Sequence, residues 1–110
     1  MSKPVVLVLF NSTCEHCQYE LGQIKEQIAD FNQVELVFLS SEPIAVTKHV
    51  AASFKPTANV DFVKINPENV YENFGTVRYP TILIYNAAGK LVKEFKGETK
   101  IEAILQYARQ

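Results

Sequence analysis

Val5-Val6-Leu7-Val8-Leu9-Phe10-Asn11-Ser12-Thr13-Cys14-Glu15-His16-Cys17 is the stretch that decides the fold. Its first six residues are continuously apolar and rich in β-branched side chains, the pattern of a strand buried on both faces. Asn11-Ser12-Thr13 is a polar turn of helix-capping residue types. From Glu15 to Phe31, the apolar residues Cys17, Leu21, Ile24, Ile28 and Phe31 recur at steps of three and four, which predicts an amphipathic helix. Two cysteines three positions apart therefore sit where a buried strand hands over to a helix.

Downstream of this stretch, strands and helices alternate. Val34–Leu39 reads as a second buried strand. Ser40-Ser41-Glu42-Pro43 offers an N-cap and an early proline for a helix running to about Phe54, which Lys55-Pro56 stops. Val60–Ile65 is a third strand, and Asn66-Pro67 opens a short helix that ends at Phe74 with Gly75 behind it. Thr81–Tyr85 and Leu91–Phe95 are two more strands, joined by the hairpin loop Asn86 to Lys90. Thr99-x-x-Glu102 has the form of a capping box, and Ile101, Ile104, Leu105 and Ala108 give the closing helix its stripe.

The order β-α-β-α-β-α-β-β-α predicts an α/β fold: a five-stranded mixed sheet with helices on both faces. Right-handed crossovers set the second strand beside the first and the third beside the second. The hairpin must then pair on the free side of the first strand, giving the order 3-2-1-4-5. Val5–Phe10 is central, and its carboxyl end lies at a topological switch point, directly before Cys14 and Cys17.

With 110 residues the chain suits a single domain, 1–110, and its 47% hydrophobic and 21% charged residues are ordinary for a globular protein. A net charge of -1, with Lys and Arg scattered, argues against nucleic acid as a partner. No apolar run is long enough to span a bilayer, and Val5–Phe10 is too short for a signal peptide. The expected location is cytoplasmic if the chain is complete, and periplasmic or exported if a leader was removed. A monomer is expected.

The two cysteines are better explained by chemistry than by stapling, because a Cys14–Cys17 bridge closes a loop too small to restrict the unfolded chain much. At a helix N-terminus, free backbone N–H groups and the helix dipole favour a thiolate, which makes Cys14 the expected nucleophile. Cys17, one turn on and facing the core, is placed to attack a mixed disulfide formed at Cys14. A protonated His16 would support the Cys14 thiolate, whereas Glu15 would oppose it. No second C-x-x-C or paired histidine completes a tetrahedral site, so no metal is expected. His49 reads as a surface or boundary residue, and no cofactor is expected.

Strand, C-x-x-C and helix in series, followed by Tyr79-Pro80-Thr81 ahead of a hairpin, resemble the thioredoxin superfamily from Val5 to about Ala108. The helix and strand inserted between Val34–Leu39 and Tyr79-Pro80-Thr81 are most similar to the TlpA/ResA-like thiol–disulfide oxidoreductases. The resemblance implies a thioredoxin-like fold and a Cys14–Cys17 pair that exchanges with protein thiols and disulfides and is recharged by a separate redox partner. It also implies a cis Pro80 against the dithiol, with the Tyr79 backbone pairing to an extended substrate segment. Thr13, Tyr79 and Pro80 are the implied substrate-facing residues. Three positions depart from the family pattern. Thr13 stands where a Trp is usual, Val8 where a buried acid is frequent, and Gly22 where a kinking proline is common.

Two other readings compete. A peroxiredoxin-like thiol peroxidase would use Cys14 as its peroxidatic thiolate. Members of that group carry a Thr three residues before that cysteine and a Pro nearby, whereas here the position holds Asn11 and no proline lies between Pro4 and Cys14. A non-catalytic binding module on the same fold would more often have lost one cysteine of the pair.

Overall fold

The structure is a computed structural model that describes residues 3–54 and 57–109. Its ten elements are β1 (Val5–Leu9), α1 (Glu15–Glu26), a 3-10 turn (Ile28–Phe31), β2 (Glu35–Ser40), α2 (Ile44–Ala51), β3 (Val60–Lys64), α3 (Pro67–Phe74), β4 (Thr81–Tyr85), β5 (Leu91–Lys96) and α4 (Ile101–Ala108). The strands form one sheet in the order β3-β2-β1-β4-β5. β1 runs parallel to β2, with Leu7 opposite Val37, and antiparallel to β4, with Leu7 opposite Leu83. The expected thioredoxin-like fold with the 3-2-1-4-5 order is the one observed.

The period of two along each strand divides the sheet's cover into two layers. Val6, Val8 and Phe10 of the β1 segment, with Leu36 and Phe38 of β2 and Ile82 and Ile84 of β4, face one side. There they meet Cys17, Leu21 and Ile24 of α1 and Ile101, Ile104, Leu105 and Ala108 of α4. Leu9 and Leu83 face the other side, under Val70 of α3, with Leu7, Leu39, Phe74 and Val77 packed around them. The first layer is the thicker. It contains a run of aromatic rings in which Phe38 stacks on Phe62 at 4.6 Å between centroids, with Phe54 at 5.3 Å and Phe10 at 6.2 Å from Phe38. Each such side chain taken from water stabilises the fold by about 1.5–3 kcal/mol.

Three local readings are corrected. The helix expected from Glu15 to Phe31 stops at Glu26: the Gln27 N–H is shared between the Gln23 and Ile24 carbonyls, and the chain tightens into the 3-10 turn that buries Phe31. Neither Ser40 nor Ser41 nor Glu42 of the expected capping stretch caps α2, and the proline lies one place before the helix. Ser40 belongs to the strand instead, as the last residue of β2, and Pro43 holds the N-cap position without a side-chain hydrogen bond. The Thr99–Glu102 capping box does not form either. Lys100 is the N-cap of α4, the Thr99 hydroxyl donates to the Gly97 carbonyl, and the Thr99 N–H donates at 2.6 Å to Glu20, a carboxylate brought in from α1. Lys55-Pro56, the expected stop of α2, lies outside the described residues. Gly75 does end α3, at φ 72° and ψ -150°, a conformation essentially confined to glycine. Among the described residues, no helix is long and apolar enough to cross a membrane.

Candidate active site

The site is built on the carboxyl end of β1. After Phe10 the chain turns through Asn11, whose Oδ1 accepts from the Thr13 N–H at 3.0 Å and the Thr13 hydroxyl at 2.7 Å. This is the local bridge by which asparagine replaces backbone pairing in turns. The turn delivers Cys14 as the N-cap of α1, immediately before the helix. Its backbone is extended (φ -84°, ψ 120°), and its sulfur accepts from the Cys17 N–H at 3.3 Å. A sulfur here takes the place that Ser, Thr or Asp oxygens usually fill, so an orphan helix N–H points at it.

Both cysteines are free thiols. Cys14 is half-buried and Cys17 is 1% exposed within the apolar layer. Burial pushes the Cys17 thiol up to about 12, against the Asn11 backbone N–H, which favours its thiolate; Cys14 and the Glu42 carboxylate push it further up. The two sulfurs thus differ in kind: the first is reachable from outside, and the second is held as a thiol in the interior.

The loop before β4 forms the opposite wall. The Tyr79–Pro80 peptide bond is cis. The Cys14 thiol lies 3.8 Å from the Tyr79 carbonyl, Pro80 is buried, and its carbonyl accepts from the Gly97 N–H at 2.7 Å. The Thr81 hydroxyl donates to the Arg78 carbonyl and closes the turn from within. Cys14, Cys17, Tyr79 and Pro80 are therefore brought together from positions 65 residues apart. Thr13, Glu15 and His16 are exposed around them. His16 Nδ1 meets Glu98 Oε1 at 2.5 Å, tying the C-x-x-C to the segment after β5.

Three carboxylates near the site were not assigned from sequence. Glu98 is the partner of His16. Glu20 is 1% exposed on α1, its proton affinity raised by burial to about 7, with the Thr99 N–H opposing that and Glu98 adding to it. Glu20 lies three residues after Cys17 and one before Leu21, so the helical period alone puts it on the buried face. Glu42, after β2, accepts from the Ser12 N–H and hydroxyl and from the Ser40 hydroxyl. Of the departures noted above, Val8 is fully buried among apolar neighbours, and α1 continues unbroken through Gly22. His49 is exposed on α2, and with Cys17 it lines a cavity of about 230 Å³ between α1 and α2.

A family described as thioredoxin-like matches residues 2–91. The chain belongs to that thioredoxin-like family. Solved structures match it over nearly its whole length. The exposed lipoprotein thioredoxin Etrx1 of Streptococcus pneumoniae is 23% identical, with a TM-score of 0.77 over 98% of this chain and 84% of its own. StoA of Bacillus subtilis is 19% identical, with a TM-score of 0.74 over 96% and 82%. A secreted disulfide oxidoreductase of Mycobacterium tuberculosis is 14% identical, with a TM-score of 0.76 over 97% and 81%. At these identities the likeness speaks for the fold. No curated protein sequence matches the chain.

Proposed function

We propose that this thioredoxin-like protein is a thiol–disulfide oxidoreductase that exchanges its Cys14–Cys17 pair with protein substrates through a mixed disulfide. The observation that carries this reading is the asymmetry of the pair. Cys14 is partly open and receives a helix N–H, while Cys17 is shut in one turn behind it and held protonated.

Cys14 as thiolate attacks a substrate disulfide; one sulfur bonds to Cys14 and the other departs as thiolate. Cys17, once deprotonated, attacks the Cys14 sulfur. The Cys14–Cys17 bond forms, the bond from Cys14 to the substrate breaks, and the electron pair leaves with the substrate thiolate. His16, with Glu98 behind it, and Glu15 set the local charge around Cys14. Thr13 and the Tyr79 backbone beside Pro80 face the extended segment of a bound partner, a one-strand augmentation. The printed description of the Mycobacterium tuberculosis neighbour as a disulfide oxidoreductase supports the same chemistry.

A disulfide probe with a chromophoric leaving group, 5,5′-dithiobis(2-nitrobenzoate), tests this. Cys17→Ser is expected to accumulate one stable thionitrobenzoate adduct on Cys14, the native pair to form it only transiently, and Cys14→Ser to form none at neutral pH. Adduct formation on Cys17 in preference to Cys14 would overturn the assignment.

A further inference from the structure

The turn that presents Cys14 is held from outside its own helix. Glu42 Oε1 accepts from the Ser12 N–H at 2.8 Å and from the Ser40 hydroxyl at 2.9 Å, and Oε2 accepts from the Ser12 hydroxyl at 2.7 Å. The Ser40 oxygen in turn accepts from the Glu42 N–H at 3.1 Å. Three donors converge on one carboxylate that spans the carboxyl ends of β1 and β2. Burial acts to raise its proton affinity, but the hydrogen bonds from Ser12 and Ser40 outweigh it, so the group is an anion at neutral pH. Among the described residues no cation pairs with it.

Ser12 is flanked by Asn11, whose backbone N–H bears on Cys17, and lies two residues before Cys14. A brace on Ser12 therefore holds the turn that leads into Cys14 and that lines, together with Cys17, the cavity between α1 and α2. We propose, resting on the exchange reading above, that Glu42 is a positioning residue for the second thiol: it pins the Asn11–Thr13 turn against Cys17 and, as an unpaired anion, slows its attack, so that a disulfide captured on Cys14 persists longer.

The physical reason is that a nearby negative charge disfavours a second one, and only the thiolate attacks. Glu42 is among the groups that push the Cys17 thiol up. The other ionisable groups facing Cys17 are Cys14 on its own turn and, around the shared cavity, Lys25 of α1 and His49 of α2; β1 contributes Phe10, which is apolar. The comparisons below leave Lys25 and His49 in place, and each holds residue 14 the same on both sides.

The test compares Glu42→Gln, which keeps the length of the side chain but not its charge, with Ser12→Ala, which loses one hydroxyl contact and keeps the charge. In a Cys14→Ser background, iodoacetamide should alkylate Cys17 about threefold faster at pH 8.5 with Glu42→Gln, because without the neighbouring charge more of the thiol is ionised. Ser12→Ala should leave the rate unchanged. With both cysteines present and thionitrobenzoate loaded on Cys14, Glu42→Gln should speed release of the chromophore about threefold, in proportion to the Cys17 thiolate.

If Glu42→Gln fails to fold by circular dichroism, Ser41→Lys replaces it. That change leaves the brace intact and sets a cation beside Glu42, and it too should speed alkylation. An unchanged or slower Cys17 rate in the folded variant overturns the proposal. A Cys14 that takes up no thionitrobenzoate refutes the exchange reading instead, while the Cys17 rates still judge Glu42.

Discussion

The backbone N–H of Cys17 donates to the sulfur of Cys14 across 3.3 Å, so the residue that is to attack the Cys14 sulfur also supports it. Because this N–H belongs to the first turn of α1, it has no carbonyl partner within the helix and is free to serve the thiolate. Cys17 receives no comparable help beyond the Asn11 N–H, and its burial dominates. With reduced protein at pH 7, iodoacetamide is expected to label Cys14 first, with Cys17 slower by a factor of at least about 10, since each pH unit of raised proton affinity costs tenfold in thiolate. Mass spectrometry of peptides from a time course checks it. Equal labelling of the two would contradict the burial argument.

Glu20 predicts how stability depends on pH. Its folded-state proton affinity, about 7, lies above the ordinary value of 4.5. A group raised in this way contributes stability that is fully present below pH 4.5 and is lost as pH rises through 7. Glu20→Gln removes the penalty of ionising a buried acid and keeps an oxygen for the Thr99 N–H. Native and variant should therefore match below pH 4.5, while above pH 7.5 the variant should be more stable by up to about 3 kcal/mol. Urea unfolding at the two pH values measures this. A variant less stable than native at pH 8 would show that the ionised carboxylate is favoured in place.

How much of this was legible in the sequence follows from the range of each interaction. The strand periods and the alternation of strand and helix are local, so the sheet order followed from them and from the handedness of crossovers. Cys14, Cys17 and Tyr79-Pro80 were legible through a motif and a resemblance. Glu42 was read only as part of a helix start, because its role depends on Ser12, 30 residues away. The capping box at Thr99 failed for the same reason. A carboxylate 79 residues earlier in the chain takes the Thr99 N–H, which a local pattern would assign to Glu102. The helix through Phe31 was overextended because the apolar spacing continues through the 3-10 turn, where Ile28 and Phe31 still face the core.

Phe38 holds the aromatic run of the thicker layer. It is fully buried on β2, stacked on Phe62 at 4.6 Å and close to Phe54 and Phe10. Phe38→Ala removes both the transfer free energy and the ring contacts and leaves a cavity between α2 and the sheet, a loss of about 3–5 kcal/mol. Against a usual total of about 5–15 kcal/mol, the variant should sit near the edge of folding at room temperature. Its urea midpoint should fall sharply with little change in slope. A loss below about 1.5 kcal/mol would mean that neighbouring rings collapse into the space.

The His16–Glu98 contact has good geometry, yet it should contribute little to stability. His16 is 73% exposed and Glu98 40% exposed, so water screens the pair and both side chains give up rotamer freedom to meet. A double-mutant cycle with His16→Ala and Glu98→Ala, read by urea unfolding at pH 6, should give a coupling below about 1 kcal/mol. The coupling should shrink further in about 0.5 M salt, where screening acts over a few ångströms. The same two variants should alter the rate of Cys14 alkylation more than they alter the unfolding midpoint, because the imidazole stands two residues from the sulfur while the fold depends on the buried layers. A coupling above about 2 kcal/mol would instead make the contact a structural tie between α1 and the segment after β5, and His16 would then act on the fold before it acts on the thiol.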